Sequence, residues 1–204
     1  MDTDSPSSEF LFGVDRRILA LAVARMADAV GNSFLIIVLP LYVASEAVGG
    51  RVFGLPSSMI AGVVLAIFGI ASSVAQPLAG RLSDRAGQRK IFVIGGLVVL
   101  GAVNLAFVGA TAYWHLFGLR ILQGLAAAFT ITASIAIVNE MSDAGRRGGN
   151  MGVYNSFRLI GFGAGPLLAS ALLELGPFSL PGGVTLTGFE ATFVVAAGTA
   201  FLGT

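Results

Sequence analysis

The chain has 204 residues, 55% of them hydrophobic and 11% charged, with a mean hydropathy of +0.87. Soluble domains carry about a quarter of their residues as charges, so this chain lacks the polar surface to face water on all sides. A net charge of +1 offers nothing to nucleic acid, the lack of cysteine excludes disulfides and thiolate metal sites, and one histidine, His115, gives no basis for an imidazole site, so no metal or cofactor is expected.

Six apolar runs, at 18–43, 57–79, 91–110, 113–138, 151–173 and 189–204, approach the ~20 residues needed to cross a hydrocarbon core. They predict an all-α membrane protein: a transmembrane bundle of six helices over 16–204, behind a cytoplasmic tail, 1–15, expected to be disordered. The sixth run has 16 residues before Thr204 and is expected to be cut within its span. Arg16 and Arg17 precede the first run as they would in an export signal. Arg25 and Asp28, however, interrupt an apolar core that a signal keeps unbroken, so the run reads as a retained helix.

On the first run Arg25, Asp28 and Asn32 stand at i, i+3 and i+7 and share one helix face. A charge at mid-helix costs about 2.5–3.5 kcal/mol on insertion scales, so such groups face a protein interior or a wet cavity. Asp28 either neutralises Arg25 one turn away or, about 15 Å into the helix, serves as a carboxylate near the midplane. Between the second and third runs, residues 80–90 read as a tight charged turn. There Gly80 would let a helix end near its neighbour, Gly87 would take a positive φ, and Asp84 would cap a helix or pair with a cation.

On the fourth run Arg120, Gln123, Gly124 and Ala127 follow helical spacing, with Arg120 about 10 Å in from the far side and in reach of Asp28's level. A carboxylate and a guanidinium from different helices would make a proton-coupling pair, since burial disfavours and the cation favours the charged acid. On the fifth, Asn155 and Arg158 precede Gly161; Arg158 reads either as a cytoplasmic-side gate or as a snorkelling side chain.

Arg16, Arg17, Arg81, Arg85, Arg89, Lys90, Arg146 and Arg147 fall on one side of the six-run layout, and Arg51 alone on the other. The positive-inside bias therefore sets the N-terminus and the 80–90 connection in the cytoplasm. One histidine, no cysteine and no G-x-S-x-G elbow leave no equipment for an enzyme.

The connection, as Gly80-Arg-Leu-Ser-Asp84-Arg85-Ala-Gly87-Gln-Arg89-Lys90, resembles the signature loop of the major facilitator superfamily of secondary transporters. Arg120-Ile-Leu-Gln123-Gly124 is similar to that family's fourth-helix motif, whose arginine is associated with proton coupling. Gly161-Phe-Gly-Ala-Gly165-Pro166 looks like its antiporter motif, with Ala169-Ser170 where paired glycines are usual; a plain helix-contact seam is the other reading. The stretch from Asp28 to Pro40 resembles the first helix of drug and tetracycline exporters.

The resemblance implies an N-terminal six-helix half with an inverted 3+3 repeat. It also implies proton-coupled efflux of a small organic compound across the cell membrane. Asp28, Asn32, Arg120 and Gln123 would line the coupling cavity, and Gly80, Asp84, Arg85, Gly87 and Arg89 would form a gate latch. Arg25 and Arg158 remain as further intramembrane charges. The expected partners are the substrate, H+, the lipid bilayer, and a missing C-terminal half or a second copy. The alternatives are a facilitator or importer of the same superfamily, or an inactive structural bundle.

Overall fold

A computed structural model describes residues 10–11, 14–45, 47–50, 52, 54–143, 145–183 and 185–204. Residues 1–9 of the tail and Arg51, the one cation assigned to the far side, lie outside the described residues. Six helices follow in order: α1 Arg16–Ala44, α2 Ser57–Ala86, α3 Arg89–Ala106, α4 Tyr113–Glu140, α5 Arg147–Leu175 and α6 Gly188–Leu202. Two short antiparallel pairs accompany them, β1 Phe10–Leu11 with β2 Val14–Asp15 ahead of α1, and β3 Phe178–Ser179 with β4 Thr185–Leu186 between α5 and α6. α1 to α5 are each long and apolar enough to cross a membrane, α3 counting its 3-10 extension, Phe107–Gly109, and α6 is a shorter apolar helix of 15 residues.

Local chemistry sets the helix ends. Asp15 caps α1 by accepting from the Arg17 backbone N–H at 2.7 Å. Thr187 and Glu190 form a reciprocal capping box on α6, at 3.2 Å and 2.7 Å. α2 corrects an expectation: it does not stop at 79 but continues to Ala86, so Gly80, Asp84 and Arg85 are helical and the turn is confined to Gly87 and Gln88. Nothing in Arg81-Leu-Ser-Asp-Arg-Ala86 breaks a helix. The chain turns only where Gly87 takes φ +63°, a left-handed conformation open to glycine. Nor does Gly80 serve a close approach, because a side chain there would meet open space.

The helices pair by an exchange. α1 packs most extensively on α5 and α4 on α2; α3 packs on α4 as α6 packs on α1, and α3 meets α6. Exchanging α1, α2 and α3 with α4, α5 and α6 maps this list onto itself, as an inverted 3+3 repeat requires. α2 and α5 are the least covered, with 22% and 17% of their apolar windows buried against 44–56% for α1, α3 and α4. Their outer faces carry large side chains such as Ile70, Val74, Leu159 and Leu167, which suit apolar surroundings rather than water.

One core lies where α1, α3, α4 and α6 converge around Phe34, Leu35, Val38, Phe107, Leu116 and Phe193. Phe107 stacks on Phe193 with centroids 5.3 Å apart, and Tyr42 meets Phe193 edge-on at 5.4 Å while donating to the Ala110 carbonyl at 2.9 Å. Where α5 ends and α6 begins, two glycines touch. A methyl group on Gly176 would stand 2.7 Å from the Gly188 nitrogen, and one on Gly188 would stand 2.9 Å from the Leu173 Cα.

Candidate functional site

The charged residues of α1 fold onto themselves. Arg25 and Asp28, one helical turn apart, form an ion pair between Arg25 Nη1 and Asp28 Oδ2, with side chains 12% and 9% exposed. Leu21 and Ala24 of α1, Val93 and Leu97 of α3, and Thr130 and Ser134 of α4 close around the pair. They leave a cavity of about 10 Å³, room for roughly one water and for no organic substrate. Two buried polar atoms nearby lack a hydrogen bond of good geometry, Arg25 Nε and the Tyr154 hydroxyl of α5. Ser134 lies near enough to interact with that hydroxyl, and the half-buried Arg158 is within electrostatic range of it.

The polar residues of α4 make a second, separate network. Arg120 is 3% exposed and donates through Nε to the Val64 carbonyl of α2 at 3.1 Å and through Nη1 to Gln123 Oε1 at 3.1 Å. Its guanidinium lies over the Phe68 ring, 4.7 Å from the centroid, so a π face supplies part of what an anion would. Gln123 passes the chain on, donating from Nε2 to Asn104 Oδ1 of α3 at 2.5 Å. Asn104 in turn donates to the Ala196 carbonyl of α6 at 3.1 Å.

Thus Arg120 and Gln123 come together and Asp28 joins Arg25; the cross-helix pair of Asp28 with Arg120 does not form. The physical reason is local. Arg25 is a single turn away from Asp28, whereas the donors of Arg120 are taken up by α2 and by its own helix. Asn32 is half-buried and belongs to neither network. The exchange of helices pairs the two clusters, since Arg25 with Asp28 on α1 and Arg120 with Gln123 on the antiparallel equivalent α4 are both arginine-plus-acceptor pairs at i and i+3. One sits toward each end of the bundle. An apolar groove beside α4, about 370 Å³ between Ile91, Gly96, Val99, Leu122, Leu125 and Phe129, touches neither cluster.

At the 80–90 end Arg89 bridges Asp84 of α2 at 3.1 Å and Glu140 of α4 at 2.8 Å, tying three helix termini. Arg85 is exposed. On α5, Gly161 and Gly165 press against the α1 backbone. A side chain on Gly165 would collide with Ser33 and lie 2.8 Å from the Val30 carbonyl, and one on Gly161 would collide with the Met26 carbonyl. Pro166 lies half-buried within α5 and Ala169 is wholly buried beside it, so this stretch is a helix-contact seam.

Asn104, Phe68 and Glu140 escaped the sequence reading. Asn104 had a usable signal: it is the one side-chain amide in the apolar run 91–110, and a buried amide in lipid needs partners.

The sequence profile of the Major Facilitator Superfamily matches residues 21–204. Among curated proteins, multidrug resistance protein MdtG of Salmonella arizonae is 30% identical over 185 residues, 90% of this chain and 41% of that protein. Citrate exporter 1 of Aspergillus niger is 27% identical over 118 residues, 58% of this chain and 22% of that protein. An uncharacterised transporter of the same type from Methanocaldococcus jannaschii is 23% identical over 168 residues, 82% of this chain and 41% of that protein. The chain therefore spans about two-fifths, or less, of the length of these relatives. With the profile running from α1 through α6, and with helices long and apolar enough for a bilayer, the chain belongs to the Major Facilitator Superfamily of multi-pass membrane transporters.

Proposed function

We propose that this chain is the N-terminal six-helix part of a proton-coupled exporter of a small organic compound. In this reading it lies in the cell membrane with its N-terminus in the cytoplasm, residues 16–204 form the bundle, and 1–15 form a tail. Export is supported by the relatives, a multidrug resistance protein and a citrate exporter. The orientation is supported by the bias of eight arginines and lysines against one. The observation that carries the coupling is the buried Arg25–Asp28 pair, the one ion pair among the described residues that lies inside the bundle.

Protonating Asp28 would dissolve that pair and leave Arg25 as an unpaired buried cation, a costly state that α1 can relieve by moving relative to α4 and α5. Proton occupancy would thereby bias a two-state helix arrangement, which is what coupling requires. Arg120 and Gln123 would act at the opposite end of the bundle, and Asn32 would line the path between. Gly87, Asp84 and Arg89 would hold the cytoplasmic ends together, with Gly80 and Arg85 presenting the outer surface of that latch. The thinly covered α2 and α5 are the faces to which a C-terminal half, or a second copy, would dock. Neither nucleic acid nor a cofactor has a part.

The test is Asp28→Asn in inside-out vesicles, following the lumenal pH and ethidium uptake into the lumen together. The variant is expected to insert normally and lose flux driven by a pH gradient. Undiminished gradient-driven flux would remove Asp28 as the carrier. Flux in the unmodified protein that ignores the gradient would make it a facilitator, and no flux at all would make it a passive bundle.

A further inference from the structure

We infer that Asn104 of α3 is a positioning residue for Arg120, acting through the amide of Gln123 and linking that arginine to the crossing of α1 and α6. The inference deepens the proposed coupling role of Arg120 and rests on that reading for its functional meaning.

Polarity fixes the chain of bonds at both ends. A backbone carbonyl only accepts and a guanidinium only donates. The chain begins at the Ala196 carbonyl and ends at Arg120 Nη1, with the Asn104 and Gln123 amides between them. Each amide has one accepting and one donating end, so a single orientation of both satisfies all three bonds: Asn104 N toward Ala196, its oxygen toward Gln123 N, and the Gln123 oxygen toward Arg120. Without Asn104, the Gln123 amide is held to that orientation from one side alone, by Arg120. Turned over, it would present a second donor to a guanidinium that needs an acceptor. No carboxylate contacts Arg120 among the described residues, so the Gln123 oxygen and the Val64 carbonyl are its hydrogen-bond acceptors.

The far end of the chain is placed where α1 is sensitive. The Ala196 carbonyl also accepts from Thr199 Oγ1 at 2.9 Å, and a side chain on Gly31 of α1 would come within 2.9 Å of it. A shift of α1, the helix that carries Asp28, over α6 therefore displaces the acceptor that orients Asn104. The two arginine clusters do not touch, and this path connects them through α6, α3 and α4. Its physical content is coupling between discrete hydrogen bonds, which a mutant cycle measures directly.

The experiment follows solvent exchange of the Arg120 Nη–H protons, the ones that face Gln123, by NMR at low temperature in nanodiscs containing the arginine-labelled protein. Asn104→Leu should speed that exchange about tenfold, the scale of one lost hydrogen bond to a charged group. Gln123→Leu should do as much, and the double variant no more than either alone. A structural role for Asn104, confined to its bond with α6, would leave Arg120 exchange unchanged or would add fully to the Gln123→Leu effect; either result overturns the inference. Asn104→Ala makes the same comparison if the leucine is not tolerated. In vesicles, the pH of half-maximal flux should move alike in Asn104→Leu and Gln123→Leu. Faster Arg120 exchange in a protein whose flux ignores pH would support the positioning role while removing the coupling reading above.

Discussion

The α1–α5 seam gives the sharpest test of how this bundle is held. In Gly165→Ala the new methyl carbon would stand 2.8 Å from the Val30 carbonyl oxygen and 3.0 Å from Ser33 Cβ, where ordinary contact begins at 3.4 Å, so the helices must part by about 0.6 Å. The Ser33 hydroxyl can rotate aside, but the backbone carbonyl cannot. A gap of 0.5–1 Å forfeits about a quarter to a half of each contact's dispersion energy. In lipid, packing of this kind drives helix association in place of the hydrophobic effect. The expected loss is about 1–3 kcal/mol, the usual cost of overpacking. Unfolding in mixed detergent micelles with rising SDS measures it, and the chain supplies its own control. Gly163→Ala, two residues away, meets nothing within 4 Å and should gain up to about 1 kcal/mol from helix propensity alone. The exchange of helices predicts a companion effect on the α2–α4 seam, where a methyl on Gly124 would stand 2.7 Å from the Phe68 carbonyl. If Gly165→Ala unfolds with Gly163→Ala rather than well before it, close approach is not what joins α1 to α5.

Two further outcomes concern the end of α2. Gly87→Ala meets no neighbour yet must hold φ +63°, so it should cost about 1–2 kcal/mol in the same titration through backbone strain alone. Arg89→Ala removes both bridges, but Asp84 and Glu140 have side chains 63% and 60% exposed. The loss should stay under about 1 kcal/mol and vanish in molar salt; a larger, salt-resistant loss would mean these ends are clasped by more than charge.

Much of the architecture was legible because lipid imposes a crude rule: a helix crossing it must be long and apolar. Five of the six runs met that rule in length, and all six came out as helices in the expected order. The rule fails where polarity and conformation part company. Residues 81–86 look like a loop because they are charged, yet they contain no helix breaker. The helix runs on until Gly87, the only residue there whose backbone can turn back so tightly. The partner of Asp28 was legible as a choice between Arg25 and Arg120. Deciding it required knowing that Val64 and Gln123 already occupy the second arginine, which is information held in tertiary packing. Asn104 and Glu140 were missed for a related reason. A lone polar residue announces a need for partners without naming them, and these partners lie on helices far away in sequence. The repeat was hidden because it is carried by which helices touch, whereas the residues that do the touching differ between halves.

The contact between Gly176 and Gly188 has a practical reach. It pins the two ends of the intervening segment together, so that the hairpin of β3 and β4, with its tip at Gly182 and Gly183, hangs from a closed base. Lengthening a loop whose ends are already joined adds only about 0.6 kcal/mol for each doubling of its length. A fluorescent reporter or affinity handle grafted at that tip would therefore ride outside the bundle without prying α5 from α6, giving the protein a ready port for observation in living membranes.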